Sequence, residues 1–377
     1  MVKKVKHQPG KTPASPKPMR GQPKYREVYD TLLKSIRRGD FPAGGKLPTE
    51  TDLMHRFNFS RITIVRALRD LQAIGVVRRR RGSGSFVAEP KRSNLTGIGL
   101  IFPPLESGSI FSTVHQVLAR ESQKRSWQII FHEMPQRASV SDAKSIIEDL
   151  WQSQVRGVFY LPLPIHARGS EINELLAADC VRRKSALVLL DRDIHRLYDR
   201  SQFDLVGSDN ELGGVLIGRH LLNAGCRRIL FFIDDRDHPT AEARLQGVSN
   251  AVRSCPDAVL EVASGDGDDR TKLHEMIVSL KPDAIACVND MTAAKVLRTL
   301  LSEGVSIPGQ IKLTGFDDTV MSGLLSVPLT TVRQSPEAMA YHAAAIMQHR
   351  MDHPDIPAAT LSIACSLVIR ASTGQIT

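Results

Sequence analysis

Near residue 90 the chain changes character. The basic run RRRRGSGSFVAEP, residues 78–90, gives way to TGIGLIF, residues 96–102, the first of a series of short apolar runs. The charge divides at the same place. Residues 1–92 hold 22 Lys and Arg against 7 Asp and Glu, leaving 28 against 33 for residues 93–377, so a chain of net charge +10 is +15 in front and −5 behind. Such an asymmetry between parts of one chain calls for a polyanion opposite the basic part. Nucleic acid fits, through phosphate neutralisation and counterion release. An anionic membrane would require an amphipathic basic helix or a lipid anchor, and neither is written here.

At 377 residues and 42% apolar side chains, the chain is long enough for two or three domains, each with its own core. The start, MVKKVKHQPGKTPASPKPMRGQPK, has the positive charge of a signal peptide but no apolar run behind it, so the expectation is a cytoplasmic protein without a membrane span. Residues 1–22 carry too few apolar groups to offset ordering entropy and read as a disordered tail, either brushing phosphates or inert. Cys180, Cys226, Cys255, Cys287 and Cys365 are an odd, widely spaced set without CxxC, which fits reduced structural thiols.

From Lys24 to Arg38, Tyr25, Val28, Tyr29, Leu32, Leu33 and Ile36 recur at helical spacing before Gly39 stops the run. Thr49 with Asp52 three positions on is a capping pair for a short second helix burying Leu53, Met54 and Phe57. Ser60 caps a third, Arg61 to Ile74, with Ile64, Ala67, Leu68 and Leu71 turned inward. Arg61, Thr63 and Arg66 fall near its N-terminal end, the part of a recognition helix that reaches base edges, although a solvated polar face reads the same way. Val76 to Val87 then reads as a hairpin: a strand into Arg78, Arg79, Arg80 and Arg81, a Gly82-Ser83-Gly84 turn and a return through Phe86. Arginines beside glycines allow close approach to phosphate or a minor groove.

KLPTETDLMHRFNFSRITIVRAL followed by GVVRRRRGSGSF resembles the winged helix-turn-helix of the gluconate-repressor (GntR) family over residues 23–88, on the elements LPxE, SRxT and GxGxF. The resemblance implies contact with operator DNA by Ser60, Arg61, Thr63, Arg66, Arg79, Arg80, Arg81, Gly82 and Gly84. Thr51 and Val65 stand where relatives often carry arginine, which implies a different preferred operator.

From Gly97 the chain alternates apolar strands with helices: GIGLIF, helix 108–125, WQIIF, helix 141–153, GVFYL, helix 170–183 and ALVLL. After DLVGSD come helix 210–224, RRILFFI, helices 239–253 and 269–280, DAIACV, helix 290–303 and IKLTGF. That alternation predicts parallel sheets, with ligands at the carboxyl ends of the strands. Polar pairs sit there: Asp191-Arg192, Asn289-Asp290 and Asp317-Asp318. Each alone is as compatible with a helix cap or turn. With Arg244 and Gln334 they offer the donors and acceptors that buried sugar hydroxyls need.

LDRDI, VGSDNELGG, ARLQG, VNDMTA, GFDDT and PLTTVRQ, in that order, resemble the effector domain of the lactose/galactose-repressor family and its periplasmic sugar-binding relatives over about residues 96–370. The resemblance implies a two-lobed α/β domain of the periplasmic-binding-protein type. It places Asp191, Arg192, Arg244, Asn289, Asp317 and Gln334 on a small, pentose-like sugar, with Phe111 as an aromatic wall and Gly267 where relatives have a stacking Phe or Trp. The order of the two parts resembles the arabinose-repressor architecture.

The expected organisation is therefore a tail at 1–22, a winged helix at 23–88, a linker at 89–96 and an effector-binding and dimerisation domain at 97–377. The function expected is a homodimeric, sugar-controlled transcriptional regulator, a repressor; a nucleobase or sugar-phosphate effector, or activation, is the alternative. No catalytic residue, cofactor or metal site is expected, because the histidines lack HExxH spacing and GDGDD at 265–269 lacks the later glutamate of a calcium loop.

Overall fold

The computed structural model describes residues 24–80, 83–88, 95–104, 109–196, 198–234 and 238–374. It divides into two compact units, Met1–Ser93 and Asn94–Thr377.

In the first unit, α1 (Lys24–Arg37) buries Val28, Tyr29, Leu32 and Leu33. Helix α2 (Glu50–Phe57) opens on a capping box in which Thr49 Oγ1 accepts from the Asp52 amide at 3.1 Å and Asp52 Oδ2 accepts from the Thr49 amide at 2.9 Å. Such a box satisfies two of the donors left open at a helix start. Helix α3 (Arg61–Ala73) has Ser60 as its cap and buries Ile64, Ala67, Leu68 and Leu71. Strands β1 (Val77–Arg80) and β2 (Gly84–Val87) pair antiparallel, Val77 opposite Val87, and Val77, Val87, Leu47 and Leu53 close one core with the helices.

The second unit holds two six-stranded sheets. The first lobe orders β13 (Thr360–Ile363), β7 (Asp204–Ser208), β6 (Ala186–Leu190), β5 (Val155–Tyr160), β3 (Thr96–Phe102) and β4 (Trp127–Glu133), all parallel. Helices α4 (Ile110–Lys124), α5 (Val140–Gln152), α6 (Ala167–Arg182) and α12 (Pro336–Asp352) cover it. Parallel strands are buried on both faces, which is why ALVLL reads as an unbroken apolar run; Leu187 through Leu190 are all buried. The second lobe orders β14 (Ser366–Val368), β12 (Thr330–Arg333), β11 (Lys312–Asp317), β10 (Ala284–Cys287), β8 (Arg228–Ile233) and β9 (Val259–Ser264), parallel except for β14. Around it lie α7 (Asn210–Asn223), α8 (Pro239–Arg253), α9 (Arg270–Leu280), α10 (Asp290–Ser302) and α11 (Val320–Leu324).

The chain passes between the lobes three times, from β7 to α7, from β12 to α12 and from β13 to β14. Helix α12 belongs to the first lobe, with Met339, Ala340, Ala343, Ala344 and Met347 in its core. Helices α7 and α8 cross at two glycines: a Cβ on Gly214 would stand 2.1 Å from the Arg244 carbonyl oxygen, and one on Gly247 2.0 Å from that of Glu211. The motifs VGSDNELGG and ARLQG thus fix the approach that carries Arg244 against α7.

Candidate ligand cleft and nucleic-acid interface

At the end of β6 the chain turns through Asp191, at φ +66°, into Arg192. Arg192 Nη1 donates to Asp191 Oδ2 at 3.1 Å and Nε to the Pro162 carbonyl at 2.9 Å, while its guanidinium lies 6.0 Å from the Phe111 ring centroid. Burial pushes the Asp191 carboxyl above its ordinary value, against the pull of Arg192 and Arg244. Its Oδ1 is buried without a hydrogen-bond partner among the described residues. A buried acceptor left in this state is costly unless a ligand supplies the donor.

From the second lobe and the crossovers comes a closed polar ring. Ser208 Oγ donates to Gln334 Oε1 at 2.6 Å, and Gln334 Nε2 donates to Asp317 Oδ1 at 2.6 Å. Asp317 faces Arg244 Nη2 at 3.6 Å; Arg244 Nε donates to Asn210 Oδ1 at 2.8 Å, and Asn210 Nδ2 returns to the Ser208 carbonyl at 3.0 Å. Arg244 also donates to the Val288 carbonyl at 2.7 Å and stacks 3.8 Å over Phe316. Ser208 and Asn210 lie on the first crossover and Gln334 on the second, so the candidate ligand groups are bonded into the crossovers themselves. Burial raises Asp317 to about 7, with Arg244 opposing and Asp290 and Asp191 adding to the rise. Asp191, Arg192, Ser208, Asn210, Pro239 and Thr240 line one cavity, so the end of β6, the first crossover and the start of α8 meet there.

Asn289 follows Val288, whose carbonyl accepts from Arg244, and is not itself a member of the hydrogen-bonded ring. Its Oδ1 caps α10, accepting from the Thr292 amide at 2.8 Å. The second members of two strand-end pairs are structural. Asp290 accepts from Thr331 Oγ1 at 2.5 Å and from the Thr319 amide at 2.8 Å, and Asp318 is held by Arg333 and Arg370 at 2.5 and 2.6 Å. Gly267 is a packing position. A Cβ there would stand 2.9 Å from the Lys295 Cβ and 3.1 Å from the Val296 amide nitrogen, so it is a packing contact under α10 and could not host an aromatic wall without moving that helix. Sequence reading missed Ser208 and Asn210, although both lie inside VGSDNELGG.

In the first unit, Arg61 leads α3 with its side chain 75% exposed and its Nε 3.0 Å from Glu50 Oε2. Arg79, half-buried on β1, turns back and donates through Nη2 to Glu50 Oε1. Ser60 Oγ and Thr63 Oγ1 share a hydrogen bond at 3.0 Å, and the Arg66 guanidinium lies 3.8 Å over Tyr25, directed at α1. Ile62 is 83% exposed and, among the described residues, is the one large hydrophobic side chain of this unit left exposed. Gly84 has φ +109°, and a Cβ there would stand 3.1 Å from Lys46 Cε, two reasons for glycine at the wing. Arg81, Gly82 and the side chain of Arg80 lie outside the described residues, as do residues 1–22 and most of the linker.

Residues 24–87 match the family described as bacterial regulatory proteins, gntR family, and residues 219–373 match the periplasmic binding protein-like domain. The arabinose metabolism transcriptional repressor of Geobacillus stearothermophilus is 24% identical over 372 residues, covering 94% of this chain and 98% of that protein. Among solved structures, a complex of the transcriptional regulator CelR with cellobiose aligns with a TM-score of 0.63 at 20% identity, over 83% of this chain and 90% of that one. The lac repressor dimer bound to operator aligns with a TM-score of 0.64 at 19% identity, over 75% of this chain and 96% of that one. At these identities the structural likenesses show the fold alone, a two-sheet α/β domain of the periplasmic-binding-protein type, while the gntR-family match covers the helix-turn-helix region ahead of it.

Proposed function

We propose that this chain, which joins a region matching the gntR family to one matching the periplasmic binding protein-like domain, is a transcriptional repressor whose grip on operator DNA is set by a small, pentose-like sugar held between the two lobes. The observation that carries this reading is that Asp191 and Arg192 of one lobe line a cavity with Ser208 and Asn210, which are themselves bonded to Gln334 and Arg244, the partners of Asp317 in the polar ring. Carboxylates that only accept, guanidinium groups that only donate and a carboxamide that does both match vicinal hydroxyls, each needing both roles when buried. Asn289 and Phe111 complete the proposed lining. The pentose class is supported by the relative named for arabinose metabolism, which this chain follows along nearly its full length.

The first unit supplies DNA contact through Ser60, Arg61, Thr63 and Arg66 on α3, with Arg79, Arg80, Arg81, Gly82 and Gly84 at the wing. Ile62, exposed beside Arg61, presents the apolar surface that suits a thymine methyl. Two such readers acting on half-sites one helical turn apart, roughly 34 Å, require a homodimer. A sugar bonded from both lobes favours the closed cleft and shifts the equilibrium by its difference in affinity for the two states. Operator and sugar then weaken one another reciprocally, typically by about 1–3 kcal/mol.

The test is thermal unfolding of the full chain with arabinose, ribose, xylose, glucose and galactose in turn, since a ligand stabilises by mass action. One pentose is expected to raise the midpoint and to release the protein from its selected duplex. A sugar that raises the midpoint without changing DNA affinity would leave a binding protein but no switch, and the reading would be abandoned.

A further inference from the structure

Glu50 is a carboxylate in the net-basic part of the chain, paired with two of its arginines. As the first residue of α2 it occupies a place where the helix end favours a carboxylate. Its two oxygens serve arginines from two other elements: Oε2 accepts from Arg61 Nε at 3.0 Å, at the front of α3, and Oε1 accepts from Arg79 Nη2 on β1. Those partners lie 11 and 29 residues away in sequence, so the fold and not a local turn assembles the triad. The Glu50 side chain is 24% exposed against 75% for Arg61. Exposed ion pairs of this kind add little to stability, and a carboxylate facing phosphates opposes DNA binding.

The geometry supplies a reason. A carboxylate on Nε holds the side edge of the Arg61 guanidinium and leaves the terminal Nη1/Nη2 edge as the fork that bonds guanine O6 and N7. The same carboxylate ties that fork to the wing strand. We propose that Glu50 is a positioning residue of the DNA reader: it sets the base-reading Arg61 and couples it to Arg79, so that α3 and the wing meet DNA as one preordered surface. This rests on the reading of α3 as the base-contacting helix. Preordering removes side-chain entropy that would otherwise be lost on binding the correct sequence.

Charge and positioning predict opposite outcomes for Glu50→Gln. By charge alone the variant gains affinity for every duplex, because a repulsion is removed. By positioning it loses discrimination. The full-length wild type is first used to enrich a duplex from a pool of random sequences; affinities for that duplex and for a scrambled duplex of equal composition are then measured by fluorescence anisotropy for wild type, Glu50→Gln and Glu50→Asp. The ratio of the two affinities is expected to fall by about tenfold in Glu50→Gln, the scale of a lost bidentate base contact, while the scrambled duplex is bound as tightly or more tightly. Glu50→Asp keeps the charge but withdraws it by one methylene, and is expected to lose the ratio with no gain on the scrambled duplex. In an Arg61→Ala background, Glu50→Gln should change the ratio no further. An undiminished ratio in Glu50→Gln overturns the proposal alone. Failure of the wild type to enrich any sequence overturns the reading of α3, and the proposal with it.

Discussion

The two polar clusters of this chain handle charge in opposite ways. In the first unit Arg61 and Glu50 are 75% and 24% exposed, and their pairing sits at the surface. In the second, Arg244 and Gln334 are 7% and 3% exposed and interlocked through Ser208 and Asn210 into the lobe crossovers, and Asp191, 6% exposed, is bonded to Arg192. A surface pair is cheap to break and acts on whatever docks against it. A buried ring carries a desolvation cost that only its own members offset, so damage there is felt in the fold as well as in the ligand response. Substitutions in the two regions should therefore separate DNA readout from stability, and the contrast is largest at Arg244.

Arg244→Ala removes the cation facing Asp317 and Asp191 and leaves the Asn210 and Val288 acceptors without their donor. Breaking a buried pair from one side typically costs about 3–5 kcal/mol. Denaturant unfolding of the full chain should register that loss, and sugar should no longer shift the midpoint. A variant as stable as wild type would show that the ring is not under the strain of burial assumed here.

Asp317→Asn tests the same ring by charge alone. Burial lifts the Asp317 carboxyl to about 7, so the folded chain holds a proton that the unfolded chain releases near the ordinary carboxylate value. The folded state binds more protons across that interval; stability from this group is full below about pH 4 and is lost as pH rises toward 7, by a few kcal/mol at most. Asn cannot ionise, so the variant should lose less stability than wild type between about pH 5 and pH 8. Sugar hydroxyls that donate to the ionised carboxylate should bind wild type more tightly over the same rise, and the variant with little pH dependence. Parallel pH profiles for the two proteins would remove Asp317 as the titrating group.

Much of this contrast could be read from the sequence. The capping pair Thr49/Asp52 and the cap Ser60 are local hydrogen-bonding patterns, and they fall where the spacing predicts. The buried parallel strands are equally legible because both faces are apolar. Strand β9 had no counterpart in the apolar pattern, since it is a sheet edge with Val259 and Val262 turned to solvent and Glu261 between. Helix α12 was missed as well: its alanines blur the apolar stripe even though Met339, Ala343 and Met347 form its buried face. Glu50, Ser208 and Asn210 escaped for a different reason. Their partners are distant in the chain, and no short motif records a contact that only the assembled fold creates.

At the DNA reader the expected effects are smaller and leave the fold untouched. Arg61→Ala should cost about 1–3 kcal/mol, confined to one base pair of the selected duplex, whereas Arg80→Ala should weaken all sequences and lower the log–log salt slope by about one. Affinities across single-base-pair variants and a salt series distinguish the two. Uniform weakening by Arg61→Ala would move base readout elsewhere on α3.

The smallest effect tests the apolar end of the comparison. Ile62 is 83% exposed between Arg61 and Thr63. If it meets a thymine methyl, replacing thymine by deoxyuridine at one position of the selected duplex removes that methyl and no hydrogen-bonding group. Losing burial of one methyl-sized group is worth about 0.8 kcal/mol, roughly fourfold in affinity. Ile62→Ala should bind the thymine and uracil duplexes alike, and its affinity for the thymine duplex should fall to about that of wild type on uracil. The stability of Ile62→Ala should match wild type or exceed it slightly, because alanine is the better helix former and no core contact is lost. Wild type indifferent to uracil at every thymine would leave Ile62 as a solvent-facing side chain, and α3 would read its site through Arg61 and Thr63 alone.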